Sequence, residues 1–152
     1  MVLLSAGIYL YEDRCRRQRE NQTAEDILEA IENIETAIRW ENCPLPDSVR
    51  AQTQRKYAGE YFRKIGGELE KDRTLQEAWK DTFCRVKPQR ISQILCGISL
   101  AGDSTYLEDR LAWAAKEIRS FQIQERESQT VRQKVKAAAA LSAAATIIIL
   151  LL

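Results

Sequence analysis

Chemistry needs particular side chains at particular spacings, and this chain offers few sets. It has 152 residues and no His. That removes Ser-His-Asp and Cys-His nucleophile arrangements, the common His zinc ligands and any imidazole pH switch. Glu29, Glu32 and Glu35 recur every third residue, a spacing that puts carboxylates along one helix face. Bundle metal sites add His and inward carboxylates from other helices, so these three read as a solvated face. Four cysteines, Cys15, Cys43, Cys84 and Cys96, form no CxxC pair, which fits reduced, unpaired thiols acting as small apolar residues. A small enzyme using carboxylates or Cys84 and Cys96 would require those thiols to be reactive and unburied. Gly66-Gly67 lacks the Lys-Ser/Thr of a phosphate-cradling loop. Tyr57, Tyr61 and Phe62 could form an aromatic binding patch, but such a set is more often core packing. Trp40, Trp79 and Trp113 likewise read first as core or core-edge residues. The reading is of no enzyme, no cofactor, no metal site and no small-molecule substrate.

Charge distribution says more than composition. The chain carries 23 Lys and Arg against 22 Asp and Glu, for a net charge of +1. That balance argues against nucleic-acid binding. Every one of those charges lies in residues 12–136. Residues 1–11, MVLLSAGIYLY, form a short uncharged head, a possible partial membrane helix. Residues 137–152 are seven Ala, four Leu, three Ile, one Ser and one Thr. As a helix that tail reaches ~24 Å at ~1.5 Å per residue, against a hydrocarbon core of roughly 30 Å. It is expected to be a C-terminal transmembrane segment, with Lys134 and Lys136 snorkelling to the interface. Basic clusters adjoin both ends: Arg14, Arg16, Arg17 and Arg19 after the head, and Arg126, Arg132, Lys134 and Lys136 before the tail. Such flanks favour the cytoplasmic side, so residues 12–136 are expected to be a cytoplasmic domain on a membrane, touching lipid phosphate.

The middle reads as helices. Thr23 is an expected N-cap for a helix carrying Ile27, Leu28, Ile31, Ile34 and Ile38 on one stripe. Cys43-Pro44-Leu45-Pro46 stops it. A second helix, opened by Pro46, carries Val49, Tyr57, Ala58, Tyr61, Phe62 and Ile65, with Gly66-Gly67 ending or bending it. Thr74-Leu75-Gln76-Glu77 is a capping box for a helix burying Ala78, Trp79, Phe83 and Val86. Pro88 opens another, and a last helix starts near Ser104 and contains no Pro or Gly through Leu152. No stretch alternates like a strand. The expected fold is all-α: an antiparallel bundle of about five to six helices plus a C-terminal transmembrane helix.

In their order, these segments resemble the stage III sporulation protein AB family of endospore-forming bacteria. ILEAIENIETAIRWENCPL, from Ile27 to Leu45, resembles the family's first soluble helix through Glu35, Ile38, Trp40 and Pro44-Leu45. The family usually has Tyr where Trp40 stands. LQEAWKDTF, with Ala78-Trp79, resembles its central helix. ILCGISLAGDSTYLEDRL resembles a Phe-Gly, Leu-Gly and Asp pattern: Gly97, Leu100, Gly102 and Asp103 match in type, Cys96 replaces the aromatic, and Ala101 shifts the second glycine. The head departs from the family, which opens with a full membrane helix.

The resemblance implies a non-enzymatic platform in the mother-cell membrane, within the channel linking mother cell and forespore. The family's soluble part is similar to the cytoplasmic helical domain of type II secretion and type IV pilus inner-membrane platforms. The implied partners are a secretion-type ATPase, stage III sporulation protein AA, and the channel's other membrane proteins. Arg50, Arg55 and Lys56, expected on exposed faces of the second helix, are the first probes of that interface. A generic tail-anchored adaptor unrelated to sporulation is the competing reading, and neighbouring genes would separate the two.

Overall fold

The computed structural model describes the backbone of residues 2–151 and the side chains of residues 11–139, 141, 142 and 146. The described residues contain six α-helices and no strand: α1 (Val2–Glu41), α2 (Leu45–Arg50), α3 (Gly59–Leu69), α4 (Leu75–Phe83), α5 (Gln89–Cys96) and α6 (Ser104–Leu151). A single 3-10 turn, Ala51–Gln54, follows α2. The chain divides into two compact units, Met1–Ile118 and Arg119–Leu152. Helix α6 supplies residues 104–118 to the first.

The first unit holds the core. Ile27, Ala30, Ile31 and Ile34 of α1 are fully buried, as are Phe62 and Ile65 of α3, Trp79 and Phe83 of α4, Ile91 and Leu95 of α5, and Leu111 and Ile118 of α6. The apolar stripe anticipated on α1 is therefore the face that packs inward. Phe62, Trp79 and Phe83 form an aromatic centre, with ring centroids 4.5 Å apart for Trp79 and Phe83 and 5.7 Å for Phe62 and Phe83. Trp79 solves its one polar problem by donating its indole N–H to the Leu95 carbonyl at 3.0 Å. That bond fixes α4 against α5.

Three boundaries differ from expectation. Helix α1 does not begin at Thr23, which is buried within it. Residues 12–22 hold no Gly or Pro, and Asp13 pairs with Arg16 at 2.7 Å and Arg17 at 2.9 Å, so nothing stops the helix there. The long second helix is two helices, broken over residues 51–58. Gly66 and Gly67 lie inside α3, which continues to Leu69. The capping box of α4 is as expected: the Glu77 N–H reaches Thr74 Oγ1 at 3.3 Å, and the Thr74 N–H reaches Glu77 Oε2 at 3.2 Å.

Trp40 and Trp113 are not core residues; they are 75% and 44% exposed. Only Trp79 of the three tryptophans is buried. Among the described residues, no helix is long and apolar enough to cross a membrane. The side chains of residues 1–10, and of most of 137–152, lie outside the described set, so the expected membrane segments fall largely there.

Candidate functional site

Pro44 and Leu45, which carry part of the family resemblance, lie at a corner that the start of α6 meets. Helix α1 ends when Asn42 takes a left-handed φ of 48°, a conformation Asn tolerates better than most residues. The Cys43 N–H then reaches back to the Ala37 carbonyl at 3.1 Å. Pro44 follows with φ of −58° and no N–H to satisfy. Its carbonyl accepts from the Asp47 and Ser48 N–H groups, each at 3.0 Å, and from Ser48 Oγ at 3.2 Å. These bonds start α2 and turn Leu45 into the interior, where it is 9% exposed.

The start of α6 meets this corner. Gly102 has φ of 156°, in the range that favours glycine. Asp103 then caps the helix: its Oδ1 accepts from the Tyr106 N–H at 2.8 Å, and its carbonyl accepts from the Leu107 N–H at 3.1 Å. Between the two segments lies a cleft of about 220 Å³. Ile38, Asn42, Cys43, Pro44 and Leu45 line it from the α1–α2 corner, and Ser104 and Leu107 from α6. One turn back on α1, Arg39 bridges Glu35 at 2.6 Å and Glu108 of α6 at 3.5 Å, tying the helices beside the cleft. Glu35 is thus a positioning residue. Trp40, between the cleft residues Ile38 and Asn42 in sequence, points its indole into solvent. Of the other family-pattern positions, Trp79 sits in the aromatic centre, away from any surface.

The three basic probes separate into different roles. None lies on the single second helix expected for them. Arg50 is the last residue of α2, exposed, with a loose contact to Asp47 at 3.6 Å. Lys56 is exposed, its ammonium 5.1 Å from the Tyr57 ring centre. Arg55 is directed inward, its side chain only 14% exposed. It donates to Asp26 Oδ1 at 2.7 Å, Glu29 Oε2 at 3.1 Å and Gln52 Oε1 at 2.9 Å.

Asp26 is the residue that sequence reasoning missed. Its Oδ2 accepts from the Tyr57 N–H at 2.8 Å and the Ala58 N–H at 2.7 Å, the two amides just ahead of α3. Burial opposes its ionisation, but the bonds from Ala58, Arg55 and Tyr57 and the Arg55 charge outweigh burial and hold its carboxyl below the ordinary value of 3.8. A helix-face aspartate carries no sequence mark of a partner 29 residues away. The Glu29–Glu32–Glu35 run divides: Glu29 is exposed beside Arg55, while Glu35 is turned to Arg39. Among the described residues, no group of three or more Cys, Asp or Glu is placed to hold a metal ion.

Residues 1–152, the whole chain, match the family described as stage III sporulation protein AB. No curated protein and no solved structure matches the chain significantly. The chain belongs to the stage III sporulation protein AB family.

Proposed function

We propose that this member of the family is a non-catalytic platform subunit of the sporulation channel, tethered to the mother-cell membrane. Its helical domain docks the secretion-type ATPase, stage III sporulation protein AA, on the cytoplasmic side. Residues 137–152 form the membrane segment, and the basic clusters at both ends of residues 12–136 set the orientation.

The observation that carries the docking reading is Trp40. Helix α1 buries Ile27, Ile31, Ile34 and Ile38 yet leaves the Trp40 indole 75% exposed, two residues along from Ile38, which lines the cleft. Tryptophan is the residue type most enriched among the few side chains that dominate binding energy. The residues that build the cleft, Pro44 and Leu45, carry the family resemblance, as do Gly102 and Asp103, which launch α6 beside it. Arg50, one helix length from Leu45, adds a basic rim, and Lys56 adds another exposed cation. Mixed charge of this kind suits polar contacts around an apolar anchor.

The test is capture of the ATPase by full-length protein in detergent. Trp40→Ala should weaken capture by roughly 30-fold, the equivalent of a hot spot of about 2 kcal/mol. Arg50→Glu with Lys56→Glu should weaken it less and mainly at low salt. Full capture by the triple variant, with unchanged helicity, would refute docking at this end.

A further inference from the structure

The geometry points to a reversible modification site outside the cleft: Cys84 and Cys96 are a dithiol that closes into a disulfide joining the end of α4 to the end of α5. Their Sγ atoms are 2.8 Å apart. That lies inside ordinary non-bonded contact, and a sub-ångström approach reaches the S–S bond length of about 2.05 Å. The sequence does not show this contact, because the pair is separated by a whole helix.

Packing holds the two sulfurs together. Cys84 is the cap residue of α4, its N–H bonded to the Lys80 carbonyl at 2.9 Å. Cys96 is the last residue of α5, and its Sγ faces that same carbonyl at 3.7 Å. Cross-helix bonds fix the residues on either side of Cys96. The Trp79 indole holds the Leu95 carbonyl at 3.0 Å, and the Gln76 amide holds the Ile98 carbonyl at 3.1 Å. Closure therefore asks the two sulfurs to approach by less than an ångström.

Exposure sets the order of events. Cys84 is exposed and Cys96 is half-buried. Burial, with the adjacent Cys84 sulfur, pushes the Cys96 thiol up to about 11, so it keeps its proton near neutrality. The oxidant is a peroxide. The Cys84 thiolate attacks one peroxide oxygen, the O–O bond breaks and hydroxide leaves, giving a sulfenic acid. The Cys96 sulfur then attacks the Cys84 sulfur; the S–S bond forms, the S–O bond breaks, and water leaves with the Cys96 proton. Two electrons pass from the thiols to the peroxide. Two equivalents of a small thiol return them by exchange. The inference does not depend on the channel role.

The experiment uses full-length reduced protein in which Cys15→Ser and Cys43→Ser leave only this pair, alongside the natural chain. After hydrogen peroxide, both remaining thiols should become untitratable in monomeric protein. Peptide mass analysis should find the Cys84 and Cys96 peptides joined, two hydrogens lighter, and dithiothreitol should restore both thiols. Cys96→Ser should instead give a sulfenic acid at Cys84, trapped by dimedone. In untreated natural protein, iodoacetamide should label Cys84 about tenfold faster than Cys96. Full titration of both thiols after peroxide, stable sulfenic or sulfinic acid in place of the bridge, or joining only between molecules would overturn the assignment.

Discussion

Replacing Asp26 with Ala should destabilise the helical domain by about 3 kcal/mol. Three donors converge on that carboxylate: the Tyr57 and Ala58 amides at 2.8 and 2.7 Å and the Arg55 guanidinium at 2.7 Å. A hydrogen bond to a charged group contributes about 1.5–3 kcal/mol. Arg55 keeps Glu29 and Gln52 after the substitution, so its share of the loss is small. Water reaches the side chain, which is 14% exposed, so the two amide bonds count at the low end of that range. Their sum is about 3 kcal/mol, or roughly 100-fold in the unfolding constant. Urea denaturation of the full-length protein in detergent, followed by far-UV circular dichroism, measures it as a lower midpoint at unchanged slope. A loss below about 0.5 kcal/mol, the range of ordinary surface substitutions, would refute the reasoning.

The pH dependence supplies a second check with a definite sign. The folded-state carboxyl ionises below its ordinary value of 3.8. Its contribution is therefore complete above that value and is lost as pH falls through the lowered one. Asp26→Asn, which accepts through one oxygen but carries no charge, should flatten this acid limb while costing less than Ala at neutral pH. A cycle combining Asp26→Asn with Arg55→Met should show coupling between the two sites of roughly 0.5–3 kcal/mol.

Gly102→Ala should cost about 1–3 kcal/mol, because its φ is 156° and an added Cβ would stand 2.5 Å from the Tyr106 ring; thermal melting checks it. Deleting residues 137–152 should release the protein from membranes with most of its helical signal intact; carbonate-resistant retention would mean that the head anchors it alone. A cysteine placed at exposed Gln54 in the chain lacking its four natural cysteines should resist an impermeant thiol reagent until cells are lysed; labelling of intact cells would reverse the proposed orientation.

What the sequence revealed was whatever local periodicity and capping decide. The Ile27-to-Ile38 stripe, the Thr74–Glu77 box and the Ser104 start all depend on residues within a turn or two of each other, and all three are found. The failures share one cause, which is tertiary competition. The stretch after Arg50 had apolar residues at helical spacing, yet Asp26 takes the Tyr57 and Ala58 amides and the helix breaks there. Arg55 looked like a surface cation until that same carboxylate drew it inward. Trp40 looked like core or core edge because tryptophan generally is, yet two residues beyond buried Ile38 on the same helix it falls on the opposite face and is 75% exposed.

These failures bear directly on function. Asp26 and Arg55 join α1 to the start of α3, while Arg39, Glu35 and Glu108 join α1 to α6. Both sets of ion pairs leave from α1, one near its middle and one in its last turns. Polar side chains on α1 are thus used to hold its neighbours, while near its end the Trp40 indole is 75% exposed. An indole left that exposed near the end of α1 is a feature that folding alone does not require. In the proposed docking, the partner covers that indole.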